Sequence, residues 1–195
     1  MWGREFLRCS VLQDKNLLQV LNSSPLKSGQ FIEESFINAI NNSRNRIVIQ
    51  TPYFILDDKF FNALKNKILM GVKVQVFIPK KADKNFVYLS SLYNAKKILN
   101  LGGEVYLYNG FLHSKTMLID NNIFCVGSCN FDMRSFYLNF ETSVMIFDEN
   151  VCKNYSEIIE KDLENSEALN INFYKKMPIL KKLALRFCNL FSPIL

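Results

Sequence analysis

One segment concentrates the residues that could do chemistry. From His113 the chain reads HSKTMLIDNNIFCVGSCN, which spaces His113, Lys115, Asp120, Gly127, Ser128 and Asn130 as HxK, four residues, Asp, six residues, GSxN. At average residue frequencies such a pattern arises by chance on the order of once per million sequences of this length, which rules out coincidence as the working assumption. His113 is the only histidine in the chain. Beside Lys115 it pairs a nucleophilic imidazole with a cation, and Ser128 and Asn130 add two neutral hydrogen-bonding groups. Together they form a receptor for a phosphodiester with a nucleophile aimed at phosphorus.

Convergence of these groups requires particular elements. His113 and Lys115 are two apart on an extended segment, so both side chains project from one face. Lys115 to Ile119 and Ile123 to Val126 read as a hairpin closed by Asp120-Asn121-Asn122, where Asn tolerates the positive φ of a tight turn. Ser128 and Asn130 then lie just past the second strand, where they can meet the first pair. Asp120 is carried in the catalytic set by its place in the motif, although a hairpin turn argues for a structural task.

The rest of the chain alternates helix and strand. Ser28 is placed to cap a helix with Phe31, Phe36, Ile37 and Ile40 on one face, and Arg46 to Gln50 reads as a buried strand. Asp57 and Asp58 open a second helix, with Phe60, Phe61, Leu64, Ile68 and Leu69 turned inward and Gly71 ending it. Val72, Val74 and Val76 alternate with Lys73, Gln75 and Phe77 as a strand stopped by Pro79. A helix over about 86–101 ends at Gly102-Gly103, and Glu104 to Tyr108 is the next strand. Phe140 to Phe147 is another, followed by a helix over 151–165 rich in i, i+4 charge pairs. The expectation is one α/β domain over 17–195, a mixed central β-sheet flanked by helices, after a poorly ordered lead-in over 1–16.

The motif HxK(x)4D(x)6GSxN resembles the signature of the phospholipase D superfamily. The longer run NFDMRSFYLNFE from Asn130 to Glu141 resembles bacterial cardiolipin synthases, specifically their C-terminal half. So do TPYF at 51–54, GVKV at 71–74, GFLHSK at 110–115 and SPIL at 192–195. The resemblance implies a phospholipase D-like fold and a phosphatidyltransferase making cardiolipin from two phosphatidylglycerol molecules. His113 would attack phosphorus to give a phosphohistidine. Lys115 and Asn130 would hold the non-bridging oxygens, with Ser128 beside them. Glu141 would accept a hydrogen bond from the other imidazole nitrogen. No metal and no cofactor is implied, because Lys115 and its counterpart supply the positive charge. Asp132 and Arg134 are expected to form a buried salt bridge, and Tyr53 and Phe54 to sit in the core rather than at the substrate mouth.

Enzymes of that superfamily use two such motifs, one histidine serving as nucleophile and the other as general acid. Only one motif stands in these 195 residues. The resemblance therefore implies a homodimer, or a second chain carrying the first motif. Two alternatives remain beside it: a single-motif dimeric nuclease of the superfamily, and an inactive fragment of a cardiolipin synthase.

Charge and composition fit an anionic partner. The net charge is +6, with apolar residues at 49% including 17 Phe, so a packed core is expected and global disorder excluded. That charge balance suits a nucleic acid backbone or an anionic membrane surface alike; the resemblance makes anionic phospholipid and a membrane surface the expected partners, and nucleic acid not. Five cysteines (Cys9, Cys125, Cys129, Cys152 and Cys188) without CxxC spacing argue for a reducing compartment. No run of apolar residues is long enough to span a bilayer. The tail holds five cations and no acid from Ile171 onward. It reads either as a basic amphipathic helix on an anionic leaflet or as a helix packed on the domain with a solvated edge. The expected location is the cytoplasmic side of a bacterial cell membrane, held peripherally.

Overall fold

A nine-stranded mixed sheet divides the protein into two helical layers in the computed structural model, which describes residues 10–11, 17–25, 31–81 and 84–191. The strands are β1 (Ser10–Val11), β2 (Leu17–Ser23), β3 (Arg46–Gln50), β5 (Lys73–Pro79), β6 (Glu104–Tyr108), β7 (Thr116–Ile119), β8 (Ile123–Gly127), β10 (Glu141–Phe147) and β11 (Ser166–Leu169), in the order β1-β2-β10-β8-β7-β3-β5-β6-β11. A separate parallel pair joins β4 (Phe54–Ile55) to β9 (Phe131–Asp132). The helices are α1 (Phe31–Asn42), α2 (Asp58–Leu69), α3 (Asn85–Asn100), α4 (Met133–Tyr137), α5 (Glu149–Glu164), α6 (Ile171–Lys175) and α7 (Ile179–Leu190).

Strands β3, β5 and β6 run parallel because each crossover is a helix, and their apolar runs are covered on both faces. Ile47, Ile49, Val74, Val76, Met117 and Ile119 point to the larger core beneath α1, α2 and α3. Val48, Phe77, Leu118 and Phe124 point to the smaller one beneath α5, with Cys152 and Ile159. Phe54, Phe60 and Phe131 are fully buried, and each such ring stabilises the fold by roughly 1.5–3 kcal/mol.

Two elements depart from the expected pattern, the first because both faces of the sheet are covered. Gln75 and Phe77 do not alternate outward, because α5 and the neighbouring strands cover that face; only Lys73 of the strand is exposed. Leu69 does not turn inward: it is 65% exposed in the last turn of α2, just before Gly71 adopts φ +86°. Three further elements carry too weak a local pattern to be read beforehand: β2, which zips along the whole of β10, the edge strand β11, and the single-turn α4. Ser10–Val11 pair with β2, so the segment 1–16 contains a short strand; its other residues, Ser28 and Ser192–Leu195 lie outside the described residues. Among the described residues no helix is long and apolar enough to cross a membrane.

The hairpin turn falls where expected, but Asp120 rather than an asparagine takes the positive φ, at +50°. Its carboxylate accepts the backbone N–H groups of Arg44, Asn45 and Arg46 at 3.0, 2.8 and 2.9 Å. The entry of β3 is thereby tied to the β7–β8 turn. Asp120 lies five extended residues from Lys115, roughly 16 Å along the strand. This geometry gives it an anchoring task and removes it from the reacting groups. Asp120→Ala should therefore lower stability by about 1–3 kcal/mol, by stranding three donors, while the activity per folded molecule stays within about twofold. Denaturant titration alongside an active-fraction assay checks both, and a catalytic collapse at unchanged stability would contradict the assignment.

Candidate active site

The parallel strands β3, β5 and β6 end at one edge of the sheet, and the antiparallel register sends the motif to the same edge. There β7 starts opposite the end of β3, with Thr116 facing Gln50, while β8 ends and β10 begins. In open α/β sheets this carboxyl edge is the usual place for a ligand.

His113 and Lys115 precede β7 on an irregular extended segment. The Ser114 hydroxyl is buried, and His113 is exposed. The Lys115 ammonium donates to the His113 carbonyl at 2.7 Å, which ties the cation to the backbone at His113. The imidazole stacks on Phe111, with centroids 5.6 Å apart and planes at 19°. Behind this segment a polar cluster locks the start of β7 to α5. Thr116 Oγ1 and Tyr155 Oη are 2.8 Å apart, Tyr155 donates to Gln50 Oε1, and the Gln50 amide donates to Asp162 at 2.7 Å. These four residues were not anticipated. The one available signal was a glutamine closing the otherwise apolar run RIVIQ, since a buried amide must find partners.

Gly127 brings the second half of the motif alongside. Its N–H donates to the Lys115 carbonyl at 3.3 Å, so Ser128 leaves the sheet beside the HxK segment. A Cβ at position 127 would lie 2.3 Å from the Thr142 carbonyl and 2.6 Å from Ser143 Cα, so only glycine admits this approach. Ser128 is then fixed by β10: its N–H donates to the Thr142 carbonyl at 2.9 Å, and its hydroxyl accepts the Thr142 N–H at 3.1 Å and donates to Glu141 Oε2. The other Glu141 oxygen accepts Asn139 Nδ2 at 3.0 Å. Glu141 thus bonds Ser128 across the β8–β10 junction and Asn139 within its own segment.

Asn130 donates to Ser135 Oγ at 3.3 Å through Nδ2, and its buried Oδ1 has no partner. An amide can be turned over without a change of shape. In the turned orientation the serine hydroxyl would donate to Oδ1, and the N–H2 group would be offered to the unpartnered side, as an anionic oxygen requires. Asp132 is 3% exposed and caps α4 by accepting the Ser135 N–H at 2.6 Å. Burial raises its pKa from 3.8 to about 6. The expected salt bridge with Arg134 is not formed: Arg134 is exposed, because two residues, about half a helical turn, carry it to the outer side. Phe54 is buried, and Tyr53 half-buried.

The far end of α4 is held by acids. The Tyr137 hydroxyl lies 3.0 and 3.2 Å from the two Glu33 oxygens and hydrogen-bonds Asp57. Asp57 also caps α2 by accepting the Phe60 N–H at 2.8 Å. Glu33 is fully buried, and desolvation, then the contact with Asp57, raise its pKa from 4.5 to about 7.

Comparison with known proteins agrees with this geometry. The family model described as "Cardiolipin synthase, PLD-like domain" matches residues 36–163. The chain is 40% identical over 179 residues to cardiolipin synthase 1 of Staphylococcus epidermidis, covering 91% of this chain and 36% of that protein. It is 37% identical over the same length to the major cardiolipin synthase ClsA of Bacillus subtilis, covering 91% and 37%. The chain thus spans little more than a third of these curated relatives. Among solved structures, Nuc of Salmonella typhimurium, a phospholipase D family member, superposes with TM-score 0.66 at 20% identity, covering 80% of this chain and 99% of that one. Phosphatidylserine synthase of Haemophilus influenzae gives 0.69 at 16% identity, covering 92% and 48%. These two likenesses bear on the fold.

The acid cluster makes stability fall as pH rises. Between 4.5 and about 7 the folded state keeps a proton at Glu33 that the unfolded chain has released, and Asp132 adds the same sign between 3.8 and about 6. The melting temperature should decline from about pH 5 to about pH 8, and Glu33→Gln, which keeps a donor and an acceptor, should flatten that decline. An unchanged slope in the variant would show that Glu33 holds no proton.

Proposed function

The chain belongs to the phospholipase D-like domain family of cardiolipin synthases, and from that membership we propose that it contributes a phosphatidyl-transfer half-site that converts two phosphatidylglycerol molecules into cardiolipin and glycerol. The observation that carries the reading is the Gly127 N–H bond to the Lys115 carbonyl at the carboxyl edge of the sheet, which sets the chain leading to Ser128 and Asn130 alongside the segment of His113 and Lys115, with Phe111, Leu138 and Phe140 exposed in the same stretches. Polar groups with exposed apolar neighbours suit a lipid headgroup and the beginning of its chains.

His113 attacks phosphorus of the first phosphatidylglycerol. A P–N bond forms, the P–O bond to the headgroup glycerol breaks, and an acid protonates the departing alkoxide. The free hydroxyl of a second phosphatidylglycerol then attacks the phosphohistidine, giving up its proton to the conjugate base and releasing His113. Lys115 neutralises charge on the non-bridging oxygens, and the Asn130 amide donates a hydrogen bond to them. Glu141 acts through Ser128, holding its hydroxyl at the rim of the site. His113 is the only imidazole in these 195 residues, so the histidine that serves the leaving group comes from a second copy of this chain or from residues outside them.

The test is product analysis of the 195-residue chain on phosphatidylglycerol dispersions, across protein concentration. Cardiolipin and glycerol should appear in equal amounts, specific activity should rise with self-association, and His113→Ala should lose roughly a thousandfold or more. Histidine-dependent, salt-sensitive cleavage of single-stranded DNA, with the lipid left intact, would overturn the substrate class.

A further inference from the structure

Helix α7 is amphipathic, but its apolar face points away from the protein. Leu185 and Cys188 are buried against α3, and the Asn189 side chain accepts a hydrogen bond from Asn94 of α3 at 3.1 Å. At 3.6 residues per turn, Ile179, Leu180, Leu183, Phe187 and Leu190 fall within an arc of about 100° centred opposite that packed face. They are 74, 77, 55, 60 and 74% exposed. Five large apolar side chains in one exposed stripe is a surface that water tolerates poorly, and it calls for a cover.

Charge decides what the cover is. The segment from Ile171 onward holds Lys175, Lys176, Lys181, Lys182 and Arg186 and no acid, and Lys181 and Arg186 are exposed on the helix itself. A second copy packed on this stripe would bring cation against cation. An anionic lipid surface would accept the apolar stripe to a depth of roughly 5–10 Å while its headgroups meet the ammonium and guanidinium groups.

Position links the stripe to the site. The Phe191 ring, just past α7, lies 5.8 Å from Phe86 in the first turn of α3. In the same turn the Tyr88 hydroxyl donates at 3.1 Å to the carbonyl of Lys80, the residue that follows β5. The carboxyl end of α7 therefore reaches the sheet edge that carries His113. Leu190 also shares a hollow with Leu56 and with Met133 of α4.

We propose that α7 is an interfacial docking helix: its Ile179–Leu180–Leu183–Phe187–Leu190 stripe inserts into an anionic leaflet and sets the sheet edge at headgroup level. The proposal rests on the lipid-substrate reading above and names the surface that brings the protein to that substrate.

Vesicle co-sedimentation of the 195-residue chain tests it, using vesicles of mixed phosphatidylglycerol and phosphatidylcholine against phosphatidylcholine alone. The chain should partition onto the anionic vesicles roughly tenfold more strongly, and less so as salt rises. The double variant Leu180→Glu/Phe187→Glu should lose about tenfold or more of that binding, with the circular dichroism melt and sedimentation coefficient unchanged. Lys181→Gln/Arg186→Gln should weaken binding to anionic vesicles alone. His113→Ala should bind like the parent, which separates failure of docking from failure of the catalytic reading. Wild-type protein left in the supernatant, or a double variant that binds like wild type, would overturn the proposal. A double variant that changes association state instead would assign the stripe to a second copy, and would overturn it too.

Discussion

The approach of β8 to β10 at Gly127 is the constraint on which the site depends. No Cβ fits there, since it would stand 2.3 Å from a backbone carbonyl of the neighbouring strand. That closeness lets the Thr142 carbonyl and N–H engage both the backbone and the hydroxyl of Ser128, and brings Glu141 onto the same hydroxyl. On the other side the Gly127 N–H meets Lys115. One glycine thus sets the register of three strands, and a slip of one residue would send every one of these side chains to the opposite face.

The chemical groups are held from beneath rather than by one another. Asp120 gathers three backbone donors at the far end of the hairpin, while Gln50, Thr116, Tyr155 and Asp162 lock the near end to α5. Asp132 caps α4, and the acids Glu33 and Asp57 hold its last residue through Tyr137. The rim is correspondingly rigid where phosphate oxygens would bind. His113 is less constrained within this chain, stacked on a ring of Phe111 that is 85% exposed.

Much of this was legible because the chemistry depends on spacing along extended chain. Two residues apart on a strand means one face, so His113 with Lys115 could be grouped from the sequence, and the hairpin followed from the Asp-Asn-Asn turn between two apolar runs. The alternation of helix and strand from Phe31 to Tyr108 was legible for the same reason: each element carries its own period. What was illegible depends on partners distant in sequence. Strand β2 shows no clean alternation, because β10 covers its edge and the first core only part of one face. Glu141 could not be assigned to Ser128 without knowing that β10 starts beside the end of β8. Asp132 and Arg134 suggested an ion pair by type, but two residues make about half a helical turn and send them to opposite environments. The outward stripe of α7 was visible as amphipathicity, and only its packing on α3 shows which face is left open.

The central claim is that phosphorus is transferred through His113, and the direct measurement is covalent trapping. Protein turning over a phosphodiester would be quenched in base, where a P–N bond survives, and digested for mass spectrometry. A phosphatidyl adduct, or the glycerophosphoryl adduct left once base cleaves its acyl esters, is expected on the peptide that contains His113 and absent from His113→Ala. Turnover with no adduct on that imidazole, or with the adduct on Ser128, would contradict it.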